Sequence, residues 1–429
     1  MDDEDDPDAE YFRRLEQRYG SAGVFEIVEE PDAPLMDGDG AEADAPEAVK
    51  LATVEAFSFK EADIPPRPWI IPGVMLAGYT HMLAAPGGSG KSLFTLQLAI
   101  SLGTGTAWGD IEPRRPCKTL IINVEDDLDE QRRRLAAARK IMEPDMWDLD
   151  GMIHLAADPE NIIVARSDAN RKTVVATPIV ETLCRFVTEN SIDVLIVDPF
   201  AETFEGDENS NSEVKWAMKV WRDQIARPTG CAVYLVHHTT KNAANGAGDA
   251  DIVRGAGAIV NSTRITSTLM PMTAEEAEAA GINPADRFLY VRFDDAKTNQ
   301  SLKTGRARWF EKVTVTLDNG SDDAPADEVG ALRPWRIPGP FDGIEVRHLK
   351  RVQQAIGNGK WRFDPQAKAW AGNAVADVLA LDPDEKKDRK RITLLLKEWI
   401  KNDVLRVVED HDEKSNLRKF VEVGEWITE

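Results

Sequence analysis

The chain is 429 residues long, 42% hydrophobic and 30% charged, with a formal net charge of −23. That content can bury a full core, and at roughly 150 residues per domain the length divides into two or three units. Cys117, Cys184 and Cys231 are too scattered for a metal-ligand set or a disulfide framework. No charge-free apolar run reaches about 18 residues, and the start MDDEDDPDAE is the opposite of a basic secretory leader, so no membrane partner and a soluble, cytoplasmic chain are expected.

The acidity is unevenly placed. Residues 1–50 hold 17 Asp/Glu against 4 Lys/Arg, more than half of the net charge. The stretch from Ala33 to Glu47, rich in Asp, Glu, Ala, Pro and Gly, cannot bury enough apolar surface to offset the entropy of ordering. Residues 1–50 are therefore expected to be a largely disordered acidic tail, with a short helix over Ala9–Tyr19. It would act as a solubilising segment, or dock a partner through Tyr11, Phe12 and Leu15.

The next informative segment is YTHMLAAPGGSGKSLFTLQLAISLG. YTHMLAA reads as an apolar strand, PGGSG as a turn, and KSLFTLQLAISLG as a helix ending at glycine. Strand, glycine-rich turn and helix aim the backbone N–H groups of Gly87 to Ser92 into an anion-favouring concavity, to which the helix dipole adds. The predicted ATP-binding segment is Pro86, Gly87, Gly88, Ser89, Gly90, Lys91, Ser92 and Leu93. Lys91 would reach the β- and γ-phosphates and Ser92 would ligate Mg²⁺. Ala85 stands where the pattern G-x-x-x-x-G-K-[ST] has its first glycine; alanine is tolerated there if φ is negative.

Three apolar strands follow, each ending in a polar group. Lys118–Val124 reads as a buried parallel strand and Asp127 as a helix start, with Leu128, Leu135 and Ile141 on one side. Glu125 then lies at the carboxyl end of a strand, where open α/β sheets bind ligands, and can activate the attacking water. Asp126 is a rival for that task, and a helix cap is the other reading of Glu125. SIDVLIVDPF ends in Asp198, an acid placed to hold Mg²⁺ through water, whereas Asp193 lies at the wrong end. CAVYLVHHTTK ends in His237 and His238, which point to opposite sides of an extended chain and so cannot chelate together.

The order of G-K-S loop, strand ending in E-D, strand ending in D-P and strand ending in H-H resembles the RecA/DnaB-type P-loop ATPases. Within them it is most similar to the RepA-like hexameric helicase branch of plasmid and phage replication modules, an AAA_25-like group. The resemblance covers roughly Pro65 to Leu317. It implies an α/β, RecA-like core with a mostly parallel sheet, ATP and Mg²⁺ as ligands, and a bacterial or phage-infected cytoplasm. Glu125 would be the catalytic glutamate, Asp198 the Walker B aspartate and His238 the γ-phosphate sensor.

The same resemblance implies how subunits meet. Thr239 to Val253, rich in glycine, alanine and asparagine, would face a central channel and touch single-stranded DNA, with Lys241 in the loop and Arg254 at its exit as cations opposed by Asp249 and Asp251; a mobile lid or connector is the plainer alternative. Arg264 matches the arginine finger that completes a neighbour's site, against the plainer reading of a surface arginine. Lys297, in a K-x-N element, would also lie near the subunit boundary.

WFEKVTVTLDNG reads as the last hairpin edge of the ATPase, giving domains at 51–320 and 341–429 joined by an acidic, proline-bearing linker at 321–340. Residues 341–429 read as helix, helix and two-stranded wing, a winged-helix pattern. Lys386, Lys387, Arg389, Lys390 and Arg391 could meet phosphates, but the segment holds 17 acidic and 17 basic side chains, so docking to protein competes. The expected function is a Mg-ATP-dependent ring ATPase, a homo-hexamer, acting on single-stranded DNA as a helicase or translocase with replication or recombination proteins. The alternative is a nucleotide-switched loader or regulator that does not translocate.

Overall fold

The computed structural model describes residues 24–27, 49–52, 59–143, 149–157, 162–168, 173–207, 210–239, 256–298, 307–412 and 414–427. The chain divides into two units, Met1–Trp69 and Ile70–Glu429. In the first, Val24–Ile27 and Val49–Ala52 pair antiparallel, Val24 opposite Ala52. These two short strands add to the reading of 1–50 as a largely disordered tail: VFEI carries the strand-favouring Val, Phe and Ile and pairs with VKLA from beyond the acidic stretch. The helix expected over Ala9–Tyr19 lies outside the described residues.

The second unit is built on a nine-stranded sheet. In chain order its parallel strands are β1 (Thr80–Ala85), β2 (Thr119–Asn123), β3 (Ile153–Ala156), β6 (Val194–Asp198), β8 (Ala232–His238) and β9 (Ile265–Pro271). A small side sheet is formed by β4 (Ala165–Asp168), β5 (Thr173–Ala176) and β7 (Phe204–Glu205). The antiparallel strands β10 (Tyr290–Thr298), β11 (Arg308–Thr316) and β12 (Glu328–Trp335) complete the large sheet, whose order is β12-β11-β10-β9-β1-β8-β6-β2-β3. One strand, β8, separates the strand leading into the glycine turn from the strand that ends in Asp198.

Helices cover both faces because the central strands are apolar on both sides. Leu83, Ala85, Ile121, Ile196, Tyr234 and Val236 face α1 (Lys91–Thr104). Met82, Ala84, Ile122, Val197 and Leu235 face α3 (Ile179–Glu189) and α4 (Asn211–Lys219). Between them in sequence lies α2 (Leu128–Ile141), packed beside α1. The antiparallel extension folds over α1: Phe94 stacks on Phe293 at 4.9 Å and meets Phe310 edge-on at 5.7 Å, and β12 reaches α2.

The segment read as a linker at 321–340 is corrected here, since it contains β12. Glu328–Trp335 follows the acidic run SDDAPAD and contains Pro334, but an edge strand tolerates proline, because its outer side needs no ladder N–H. It is anchored by Gln97 of α1, whose side-chain amide donates to the Leu332 carbonyl at 2.7 Å and accepts from the Leu332 N–H at 2.6 Å.

After β8 come α5 (Ala256–Ser262) and, beyond β9, α6 (Ala274–Ala280). Residues 341–429 form α7 (Val346–Gly357), β13 (Trp361–Arg362), α8 (Ala371–Leu379), α9 (Lys386–Lys401), β14 (Leu405–His411) and β15 (Leu417–Val423). The three strands pair antiparallel in the order β13-β15-β14 around a core that includes Val352, Trp370, Val375, Leu395, Trp399 and Val421.

Candidate functional site

Ala85 is the last residue of β1, fully buried in an extended strand, so the position without a glycine needs none. The left-handed conformations fall on Gly88 (φ 71°) and Gly90 (φ 94°), where a side chain would be strained. Gly90 hands the chain directly to α1, and Lys91 and Ser92 open that helix. Sequence and local conformation therefore agree on a glycine turn at a helix N-terminus, a place that favours anions.

The carboxyl ends of β2, β6 and β8 converge on this turn. Ser92 Oγ donates to Asp198 Oδ2 at 2.8 Å. Lys91 Nζ lies 3.2 Å from His238 Nδ1, and His238 Nε2 lies 3.8 Å from Glu125 Oε1. His237 turns to the other face, where its ring meets Phe200 edge-on at 5.7 Å, as the alternation of a strand requires. Asp193, at the opposite end of β6, accepts from Arg115 and from the Lys118 N–H.

Glu125 and Asp126 are separated by their contacts. Asn123 Oδ1 accepts from both of their backbone N–H groups at 2.9 Å. Asp126 is held by Arg134 at 2.5 Å and by the Asn123 amide at 3.1 Å; burial raises its pKa against the pull of Arg134. The cap of α2 is Asp127, which accepts from the Glu130 N–H at 2.7 Å. Glu125 is thus neither cap nor ion-pair partner of Arg134, and it lines the cleft.

Asp198 is 1% exposed, and burial pushes its carboxyl up to about 6 against the pull of the Ser92 hydroxyl and the Lys91 ammonium. Its Oδ1 is buried with no hydrogen-bond partner among the described residues. An unpaired carboxylate oxygen beside a serine hydroxyl is a hard-oxygen donor set, which fits Mg²⁺ held by Ser92 and, through water, Asp198. The cleft itself, about 580 Å³, extends from Glu125, Lys91 and Ser92 past Leu93 to Arg133 of α2 and residues 327–330. Arg133 Nε donates to Asp327 Oδ2 at 3.0 Å, joining its two sides.

Sequence reasoning had assigned none of the wall formed by Arg133, Asp327 and the start of β12. The available signal was the alternation in EVGALRPW, whose buried residues include Val329, Ala331 and Leu332.

Arg264 does not join the cluster. Its backbone N–H donates to the Thr80 carbonyl at 2.8 Å, at the start of β1, five strand residues or about 16 Å from Ala85. Its guanidinium lies 5.2 Å from the Tyr79 ring, and its Nε is buried without a partner among the described residues. Lys297 sits nearby, donating to the Val260 carbonyl at 2.6 Å; burial and Arg264 both lower its pKa. Lys241 and Arg254 lie outside the described residues.

Four of the five side chains in the basic cluster of α9, Lys386, Lys387, Arg389 and Arg391, are engaged within the chain. Lys386 pairs with Glu278 at 2.5 Å, Lys387 donates to the Gly281 carbonyl at 2.7 Å, and Arg391 donates to the carbonyls of Pro340 and Asp342.

Residues 45–244 match the family model AAA_25, described as an AAA domain. Among solved structures, a KaiC-like protein from the hyperthermophilic archaeon Pyrococcus horikoshii OT3 aligns at 14% identity over 56% of this chain and 89% of that chain, with a TM-score of 0.36.

Proposed function

We propose that the chain is a Mg-ATP-dependent ring ATPase of the RecA/DnaB type acting on single-stranded DNA, a RepA-like helicase or translocase; the match of residues 45–244 to an AAA-domain family and the glycine turn that opens α1 support the ATPase. The observation that carries the ring is the position of Arg264. It lies at the opposite end of β1 from the glycine turn, too far to reach a phosphate bound in its own subunit. A finger so placed serves a neighbour's nucleotide, so each site is completed across an interface and the closed arrangement is a ring, with six copies as the working expectation.

Within one site, Lys91 and the turn's N–H groups hold the phosphates. Glu125 orients a water for in-line attack on the γ-phosphate and accepts its proton. His238, within reach of both Lys91 and Glu125, reports whether the γ-phosphate is present. Mg²⁺, when bound by Ser92 and Asp198, would neutralise charge on the phosphate oxygens. Residues 341–429, in the winged-helix order, would dock nucleic acid or protein after the α9 cations leave their present partners. Exposed pairs such as Lys386–Glu278 contribute little stability.

The test is steady-state ATP hydrolysis with and without single-stranded DNA, at protein concentrations that form the ring. A several-fold rise with DNA supports the motor, and a strand-displacement assay follows. A rate indifferent to DNA replaces it with the second reading, a nucleotide-switched loader or regulator. That reading is favoured by the thin charge of the expected channel loop, where Asp249 and Asp251 oppose Lys241 and Arg254.

A further inference from the structure

Lys312 is a charged side chain for which the site described so far has no use. It lies in β11 opposite Leu332 of β12. Both side chains point towards the glycine turn: a Cβ added at Gly90 would stand 3.6 Å from Lys312 Cε and 3.9 Å from Leu332 Cδ2. The ammonium donates to the Gly88 carbonyl at 2.8 Å.

Two features set this lysine apart from a surface charge. It is half-buried, and burial pulls its pKa below the ordinary lysine value. No carboxylate lies within 4.0 Å of it among the described residues, unlike Lys140, Lys360 and Lys386. A partly desolvated ammonium facing one carbonyl is not fully compensated, and a phosphate bound in the turn would supply the missing negative charge nearby.

The contact also bears on the shape of the turn. The Gly88 carbonyl belongs to the Gly88–Ser89 peptide, which follows a left-handed glycine, and its Ser89 N–H makes only a long bond, 3.3 Å, to the Pro86 carbonyl. A glycine peptide with so weak a tether rotates easily. A cation on its carbonyl holds that peptide in one orientation and polarises its N–H as a donor.

We propose that Lys312 is a positioning residue of the nucleotide site, acting through the Gly88–Ser89 peptide to hold the phosphate loop in its binding shape and to add positive charge beside it. The proposal rests on the reading of the glycine turn as the phosphate site. Gln97 supports it indirectly by fastening Leu332, the cross-strand partner of Lys312, to the helix that the turn opens.

The test compares Lys312→Met, which keeps the apolar stem, and Lys312→Arg, which keeps a cationic donor, with wild type and Lys91→Ala. Affinity for Mg-ADP is measured by calorimetry, KM and kcat for ATP by steady-state hydrolysis, and thermal stability without nucleotide by scanning fluorimetry. Lys312→Met is expected to weaken Mg-ADP about tenfold, as loss of one charge-assisted contact does. The loss should fall on KM rather than kcat, leave nucleotide-free melting in place, and be largely recovered in Lys312→Arg.

Unchanged affinity in Lys312→Met overturns the proposal, and so does a loss that tracks a lowered melting temperature and is not recovered by arginine. If Lys312→Met does not fold, Lys312→Gln is read by the same criteria. Full Mg-ADP binding by Lys91→Ala would instead sink the assignment of the phosphate site, whereas hydrolysis indifferent to DNA would sink only the motor.

Discussion

Acid should loosen the strand that carries the phosphate turn, and the size of the effect follows from one histidine. His81 lies in β1, fully buried, with Nε2 2.9 Å from the Leu76 carbonyl. Burial, together with the nearby Arg264, lowers its pKa from 6.5 to about 4, although the Leu76 contact opposes the shift. In the folded chain His81 therefore stays neutral down to about pH 4, while the unfolded chain takes up a proton near 6.5. The resulting stabilisation is complete above pH 6.5 and is lost as pH falls from 6.5 towards 4.

At about 1.4 kcal/mol per pKa unit, the full loss is about 3 kcal/mol, of which about 2 kcal/mol is gone at pH 5. His81→Gln keeps an amide beside Leu76 but cannot titrate. Urea denaturation followed by tryptophan fluorescence at pH 7.5 and pH 5.0 separates this group from the carboxylates, which act alike in both proteins. Wild type should lose about 2 kcal/mol more than His81→Gln over that interval. Equal losses in the two proteins would show that His81 is not the buried neutral base described.

Three further outcomes follow from the same contacts. Glu125→Gln should lower ATP hydrolysis by roughly 10²–10⁴-fold while leaving Mg-ADP affinity close to wild type, since its proposed partner is the attacking water rather than the phosphates held by the turn; rapid hydrolysis by the variant would hand the role to another acid. Asp198→Asn should raise the Mg²⁺ concentration needed for half-maximal hydrolysis, and an unchanged Mg²⁺ titration would remove Asp198 from the metal site. Gln97→Leu deprives Leu332 of both backbone partners and should cost about 2–5 kcal/mol in unfolding free energy, together with weaker nucleotide binding as the cleft wall of β12 detaches. Denaturation and calorimetry on the same preparation read both effects.

The parts of the site legible in sequence were those whose chemistry and local conformation coincide. The strand, glycine turn and helix around Lys91 are contiguous, so their geometry is written in one segment. Glu125, Asp198 and His238 each end an apolar strand, and parallel strands bring such ends together without any further information. Alternation put His237 and His238 on opposite sides of their strand, and the resemblance to RecA/DnaB-type ATPases chose His238. Ala85 could be accepted because the position ends a strand and requires no positive φ.

What sequence did not disclose depends on residues far apart in the chain. Lys312 reaches Gly88 across 224 positions and Gln97 reaches Leu332 across 235, because the antiparallel extension folds over α1. Nothing in EKVTVT or VGALRP announces that partner. Glu328–Trp335 looked like part of a linker because it follows the acidic SDDAPAD and carries Pro334, and proline also occurs in edge strands. The α9 cations, read from composition as phosphate contacts, turned out to have carbonyl and carboxylate partners that composition cannot foresee.

The measurement that tests the shared site most directly mixes two inactive variants. Glu125→Gln retains Arg264 and Arg264→Ala retains Glu125, so an interface between one of each, in the correct order, holds a complete set. Equal amounts mixed under ring-forming conditions should recover about one quarter of wild-type hydrolysis, the share of interfaces with that pairing in random assembly. Neither variant alone should turn over. No recovery in mixtures shown by mass to contain both chains, or undiminished hydrolysis by Arg264→Ala alone, would contradict a nucleotide site completed by the neighbouring subunit.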